Sequence, residues 1–366
     1  MAGQLLTGGL HDELSKWRRC MFDSDGTTSV DLALNAESTG GRSSVSEESA
    51  HDARAFEHEL RLVRELWDGG SPRDGVLHYL RVSSEAWHWG RHTAGVWEDF
   101  IARAAGLGLL EAFRAEPITA RSAAQPRGYA GDAVLLDLIY DFEGANEAAQ
   151  SKLSCEKAIA LNELTFASLE TESVRWRRRF IASRMTTLSE RQSSLKVLSV
   201  ASGHARELAL LDHATKETLG AVTVLDQDGQ SIAQSIVDYG DFVIPHEADI
   251  SGLIKGQVSV DESYDLVYTL GLLDYLDDKT ASVLLSRLAE ITAPGGQIVF
   301  ANFAKHPINI GYMESAMDWK LIYRTEADMD LIWSSTRRED FELEMHRDQS
   351  GTVVYAEATR ISEVSQ

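Results

Sequence analysis

The sequence predicts an α/β fold: a mostly parallel sheet wound with helices in the second half of the chain, preceded by a mainly helical first half. Two observations predict it. From Lys196 onward, short β-prone apolar runs alternate with stretches of helical period, an order that builds parallel strands joined by crossover helices. Between Ala55 and about residue 187, apolar residues recur instead at helical spacing.

Bulk properties bound the rest. At 366 residues the chain exceeds one typical domain, so two units are expected. Hydrophobic residues at 43% and charged residues at 25% suit a globular protein with a sizeable core. The 57 acidic against 35 basic residues give a formal charge of −22, which repels phosphate backbones and anionic lipid. Nucleic acid and membrane are therefore not expected as partners. Arg175, Arg177, Arg178 and Arg179 form a local basic run, but Trp176 and Phe180 interleave them as on an amphipathic helix with a solvated face. Cys20 and Cys155 match no metal-ligand or redox spacing, so neither a disulfide framework nor a metal is expected. No apolar run approaches the roughly 20 residues of a bilayer span, and no signal-peptide pattern opens the chain. A cytoplasmic location is expected.

Taken in order, residues 1–52 form a variable segment whose 24–52 stretch is too polar to fix its own conformation. Residues 53–189 read as a helical substrate or lid domain. Leu60, Val63, Leu66 and Trp67 share a face, followed by Val76, Leu77 and Leu80, and further helices fall around 92–116, 133–170 and 173–187. Residues 190–362 change period. Strand runs are expected at 196–200, 221–225, 241–244, 264–269 and 297–300, with 340–346 and 352–359 as an antiparallel edge. Helices are expected from Arg206, across 229–237 and across 278–292, and Pro294-Gly295-Gly296 marks a turn.

In such a sheet, ligands bind outside the carboxyl ends of the strands where strand order reverses. At the first turn Ala201, Ser202, Gly203 and Ala205 are small enough for close backbone approach, with a helix N-terminus expected behind them. Asp226 ends the second run about 20 residues on, where a carboxylate accepts hydrogen bonds from ribose hydroxyls. Together they describe a nucleoside site, although a tight turn and an ordinary post-strand Asp would each look the same alone. The first turn lacks the full G-x-G-x-x-G pattern that a pyrophosphate favours.

Residues 195–303 resemble a class I S-adenosylmethionine-dependent methyltransferase. The features are Val197 to Glu207 as the cofactor loop, Leu225-Asp226-Gln227-Asp228 after the second strand, Ala248-Asp249-Ile250 after the third, and Pro294-Gly295-Gly296 before the fifth. The resemblance implies a Rossmann-like domain with a mostly parallel seven-stranded sheet and S-adenosylmethionine as cofactor. By the same resemblance Ala201, Ser202 and Gly203 contact the methionine part, Asp226 the ribose, Gln227 the adenosine and Asp249 the adenine amino group, with Leu270 and Tyr275 completing the site. Ser199 stands where the family usually has an acidic residue, and Ala201 where it usually has glycine.

A narrower resemblance rests on Gln125-Pro126-Arg127-Gly128-Tyr129-Ala130-Gly131-Asp132, on Leu270 to Leu276, and on Met313-Glu314, Asp318-Trp319 and Tyr323-Arg324. These look like a bacterial subgroup that includes enzymes proposed to make hydroxy fatty acid methyl esters. Read physically, the 125–132 loop can fold over a cleft: Arg127 can grip a carboxylate with two prongs, Tyr129 can stack or hydrogen-bond, and Asp132 can orient either. An interdomain turn held by an Arg–Asp pair is the plainer alternative. Glu314 and Asp318 are four apart, so a helix would put both carboxylates on one face, and burial would suit either to general-base work. Asn302, His306, Tyr312, Trp319 and Tyr323 gather near them in sequence, Met313, Met317 and Ile322 read as core, and His306 beside Pro307 reads as a turn residue.

Three functions stay open at this point. The first is methyl transfer to a small molecule, such as the carboxylate of a fatty or hydroxy acid or a specialised metabolite. The second keeps the cofactor but breaks another sulfonium bond in an aziridine-type ring closure that releases methylthioadenosine. The third is a non-catalytic cofactor-binding partner subunit, and an acidic carrier protein or partner subunit is the macromolecular contact left open.

Overall fold

The computed structural model describes residues 45–258, 260, 263–305 and 309–362. Most of the 1–52 segment, Cys20 and His306 lie outside the described residues. The chain divides into two compact units: one comprises residues up to Glu172 together with His306–Lys320, the other Ser173–Lys305 and Leu321–Gln366. The sequence reading drew this border at 189/190 and left the second half uninterrupted; the observed division falls inside the helix Leu169–Ser189 and returns a short stretch to the first unit.

The helical unit is built on Val45–Asp68, Pro72–Gly90 and Val96–Gly106, followed by shorter helices through Glu156–Phe166. Leu60, Val63 and Trp67 are buried on the face their spacing predicts, and Val76, Tyr79 and Leu80 oppose them. Its last element is the returning helix Ile310–Ser315. Gly311 there lies so close to the preceding long helix that a Cβ would stand 2.3 Å from the Ser83 carbonyl carbon. Tyr79 Oη and Ser315 Oγ are 2.8 Å apart, as are Thr119 Oγ1 and Tyr312 Oη, and Arg114 Nε donates to Ala316 O at 3.0 Å. Tyr312, Met313, Met317 and Trp319 are buried accordingly.

The second unit is a seven-stranded Rossmann-like sheet: β1 (Val197–Val200), β2 (Val222–Asp226), β3 (Val243–Glu247), β4 (Tyr264–Thr269), β5 (Thr292–Phe303), β6 (Phe341–Arg347) and β7 (Val353–Arg360). Their order is β3-β2-β1-β4-β5-β7-β6. β1 to β5 pair in parallel, and β7 runs antiparallel between β5 and β6. Alternation along each strand feeds two cores. Leu198, Val200, Ile298 and Phe300 pack with Leu284, Leu288, Met329 and Trp333 on one face, while Val197, Val222, Val224 and Val299 pack with Ile181, Met185, Leu219 and Ile232 on the other. The Pro294-Gly295-Gly296 turn is a bulge in β5: pairing jumps from Tyr264↔Thr292 to Leu266↔Gln297, and a Cβ on Gly296 would lie 2.8 Å from Tyr264 O.

Two sequence expectations change. The segment after the first turn is a 3-10 helix, Arg206–Leu210, and the α-helix begins only at His213, so the loop lacks the extended helix N-terminus expected behind it. Ile322, read as core, is 39% exposed, in a segment that lies outside any helix or strand and whose Ile322 N–H donates to Asp274 O at 2.7 Å. No helix among the described residues is long and apolar enough to cross a membrane.

Candidate functional site

Strand order reverses between β1 and β4, and the loop leaving β1 lies at that point. Its conformation is unusual. Ala201, Gly203 and Ala205 all adopt left-handed backbone angles, with φ of 55°, 54° and 51°. Only Gly203 does so without steric cost; each alanine spends about 1–2 kcal/mol.

What holds the loop is Asp226 at the end of β2. Its Oδ2 accepts the Gly203 N–H at 2.7 Å and its Oδ1 the Asp228 N–H at 2.9 Å. Ser202 N donates to Leu225 O at 3.1 Å, and Ala248 N donates to Asp226 O at 2.9 Å. Asp226 is therefore the hinge pin of three strand ends. Burial pushes its carboxyl pKa up, against the pull of the two backbone N–H groups.

Gln227 is exposed next to it. Asp249 is also exposed and caps the helix Ile250–Ile254 by accepting Gly252 N–H at 2.7 Å. Leu270 is half-buried directly after β4, and Tyr275 is 40% exposed in the 3-10 turn Leu273–Tyr275. The predicted nucleoside residues thus line the carboxyl ends of β1, β2 and β4 and the segment just after β3.

Two hydroxyls in this region stand out. Ser202 Oγ, on the loop after β1, and Thr269 Oγ1, at the last residue of β4, are buried and have no hydrogen-bond partner in the protein. Burying an unsatisfied hydroxyl costs about 1–3 kcal/mol, so a pair of them at the switch point suits a polar ligand.

Sequence reasoning missed a charged group beside them. Glu207 is buried and accepts the Tyr268 Oη proton at 2.5 Å, and burial raises its pKa. Arg177, assigned above to a solvated helical face, is half-buried and donates from Nη1 to Leu270 O at 2.9 Å. Asp274, buried under β5, accepts Phe303 N–H at 2.7 Å, and its carboxyl is pushed up to about 6 by burial. Arg324, the Arg of the Tyr323-Arg324 pair, is an anchor: it is 2% exposed and donates to Leu273 O, Asn302 Oδ1, Leu276 O and Asp278. The available signal was the position of Glu207, Leu270 and Asp274 just beyond β1 and β4.

The predicted catalytic residues all belong to the helical unit. Asp132 is fully buried: its two oxygens receive Arg121, at 2.8 Å each, and Oδ1 also caps the helix Ala133–Tyr140 through Leu135 N. An Arg–Asp pair is present here, and its arginine is Arg121. Arg127 and Tyr129 are half-buried.

Glu314 and Asp318 do not share a helical face. The helix ends at Ser315, and Asp318 sits beyond it at φ 49°. Trp319 N turns back to Met313 O at 2.8 Å, and Gln125 Nε2 donates to Asp318 O at 3.2 Å. Asp318 pairs with exposed Lys320 at 2.9 Å, and its own side chain is 46% exposed. Glu314 does have the environment expected of a tuned carboxylate: burial raises its pKa, and the Trp87 and Trp97 side chains donate to it. Among the described residues no cluster suited to a metal ion occurs.

No protein-family model matches the chain, and no curated protein matches it. Among solved structures it is similar to a possible exported protein from Bordetella parapertussis, at 16% identity over 69% of this chain and 97% of that one, with a TM-score of 0.47. It is similar also to magnesium protoporphyrin IX methyltransferase from Synechocystis PCC 6803, solved with bound S-adenosylmethionine, at 15% identity over 52% and 83% of the two chains (TM-score 0.37). A third is 1,6-didemethyltoxoflavin-N1-methyltransferase from Burkholderia thailandensis with bound 1,6-didemethyltoxoflavin and S-adenosylhomocysteine, at 15% identity over 51% and 78% (TM-score 0.38).

Proposed function

We propose that the chain is an S-adenosylmethionine-dependent methyltransferase acting on a small molecule. The observation that carries the reading is the pairing of Asp226 with the loop after β1. An ionised carboxylate offers about four lone-pair positions. Gly203 and Asp228 use one on each oxygen, which leaves acceptor capacity for the two hydroxyls of a ribose. Ser202 Oγ and Thr269 Oγ1 add hydroxyls that lack protein partners at the switch point, as a polar ligand would require.

Bound S-adenosylmethionine supplies a methyl group activated by its sulfonium. The chain's own work is alignment and exclusion of water, and no covalent enzyme nucleophile is required. Asp226 fixes the ribose end, the small residues Ala201 to Gly203 admit the backbone close to the ligand, and Asp249 faces the adenine. For the acceptor we propose Arg127, Tyr129 and Glu314. Arg127 suits a carboxylate, the acceptor chemistry of a fatty or hydroxy acid, which is already ionised and needs no base. Glu314, held by Trp87 and Trp97 with a raised pKa, suits an acceptor that must lose a proton.

The test is to incubate the full chain with S-adenosylmethionine and pools of candidate acids and to identify the nucleoside product by mass spectrometry. S-adenosylhomocysteine with a methylated acceptor is expected. Methylthioadenosine above the spontaneous background would overturn methyl transfer in favour of ring closure. Absence of cofactor binding by calorimetry would overturn the reading altogether.

A further inference from the structure

Three helices of the first unit converge on one carboxylate. Glu314 sits on Ile310–Ser315, Trp87 near the end of Pro72–Gly90, and Trp97 in the first turn of Val96–Gly106. Close packing fixes all three. A Cβ on Gly311 would stand 2.3 Å from the Ser83 carbonyl carbon, and one on Gly90 would stand 2.6 Å from Trp97 Cβ, so glycine lets the helices approach at both places. The Trp97 ring stacks on Phe100 with centroids 5.4 Å apart, and the Arg91 guanidinium lies over the Trp87 ring, 5.2 Å from its centroid. Two held indoles thus present their N–H groups to Glu314.

These hydrogen bonds come from neutral donors. Among the described residues, the cation whose charge acts on Glu314 is Lys320, and Lys320 Nζ already pairs with Asp318 at 2.9 Å. Burial works against the ionised form of Glu314 and outweighs what the indoles and Lys320 contribute. A carboxylate has about four lone-pair positions, and two indoles use two of them. Glu314, Trp87 and Trp97 are half-buried rather than enclosed, so the remaining acceptor capacity is open to a ligand.

What completes such a site is a cation that donates hydrogen bonds. A metal ion suits it poorly, because an indole N–H has no lone pair to give and no cluster suited to a metal occurs among the described residues. An alkylammonium suits both parts: its N–H groups meet the carboxylate, and the carbon beside its charged nitrogen meets aromatic rings. We propose that Glu314, Trp87 and Trp97 bind an alkylammonium group of the methyl acceptor, with Glu314 as its counter-ion. The chemistry of the site follows from the helical unit alone; that its ligand is the acceptor rests on the methyltransferase reading.

The probe is hexylammonium chloride, with hexanol as its uncharged match. Each is titrated into the full isotope-labelled chain while the indole N–H resonances are followed by NMR, and Trp87→Phe and Trp97→Phe identify the two signals. Both signals should shift saturably with hexylammonium, at an affinity at least about tenfold above that for hexanol, and Glu314→Gln should weaken it about tenfold or more, as loss of a charge-assisted pair does. The chain's net charge of −22 attracts cations loosely over the whole surface, which would not single out these two indoles. Unmoved Trp87 and Trp97 signals, an equal response to hexanol, or undiminished affinity in Glu314→Gln would overturn the assignment. Should Glu314→Gln not fold, the wild-type shifts decide on their own. In turnover, S-adenosylhomocysteine should form with pools of amines and amino acids; turnover confined to acceptors without a cationic nitrogen would also overturn it. Calorimetry with S-adenosylmethionine on the same sample separates the two readings. Hexylammonium binding without cofactor binding would overturn the methyltransferase reading and leave the ammonium site, and the converse would remove only that site.

Discussion

Replacing Asp274 with Asn tests the burial of a charge at the heart of the sheet unit. Asp274 is 3% exposed, its Oδ1 accepts Phe303 N–H at 2.7 Å, and its carboxyl is pushed up from 3.8 to about 6, chiefly by burial. Arg177 and Arg324 pull in the other direction without cancelling that shift. Between those two values the folded chain holds a proton that the unfolded chain has released. Stability contributed by this group is therefore complete below about pH 4, is lost as pH rises through about 6, and is level above that. A shift of about 2 pKa units corresponds to roughly 3 kcal/mol. Asparagine keeps the acceptor for Phe303 N–H and removes the titration. Urea unfolding at half-unit steps from pH 4 to 7.5 should show wild type losing about 3 kcal/mol relative to Asp274→Asn across that window. A difference that stays constant with pH, or one that grows in wild type's favour, would refute the reasoning.

Asp226→Asn should weaken S-adenosylmethionine binding about 10–100-fold, because one of the two backbone N–H groups held at 2.7 and 2.9 Å would face an amide NH2; calorimetry measures it, and wild-type affinity would count against the site. Gly311→Ala should destabilise the helical unit by about 2–3 kcal/mol or more, since its Cβ would meet the Ser83 backbone at 2.3 Å; a melting temperature equal to wild type would contradict that packing. Asp132→Ala should cost about 2–4 kcal/mol by removing a helix cap and stranding Arg121. Scanning calorimetry should show that loss.

The legible parts of the fold were those written as local pattern. Val197–Val200 and Val222–Leu225 are strands buried on both faces, so they read as continuous apolar runs, and Asp226 was found because it closes one of them. Glu314 and Asp318 were misread because a four-residue spacing means a shared face only while the helix lasts. Asp318 tolerates the left-handed conformation that follows the helix, and periodicity gives no warning of it. Asp132 was located correctly in a loop, but its partner, Arg121, lies 11 residues earlier and was indistinguishable from Arg127 by type. Arg177 was missed for a related reason: on an amphipathic helix, sequence shows which face is charged and not what that face meets after Leu270 and Gly271 are brought beside it.

The loop after β1 shows how the fold and the proposed chemistry depend on one group. Two alanines in left-handed geometry cost about 2–4 kcal/mol together, and a chain free to relax would not keep them there. The charge-assisted bonds from Gly203 and Asp228 to Asp226 supply an offset of about 1.5–3 kcal/mol each. The loop is thereby set by β2 rather than by a ligand, so a nucleoside meets an arranged site and spends little of its binding energy on ordering it. It follows that Asp226 has two separable effects. Its hydrogen bonds to backbone hold the shape, and its remaining lone pairs address the ligand. A ligand lacking the ribose hydroxyls should therefore lose affinity for a wild-type site whose loop is intact, whereas Asp226→Asn should lose affinity even for that ligand.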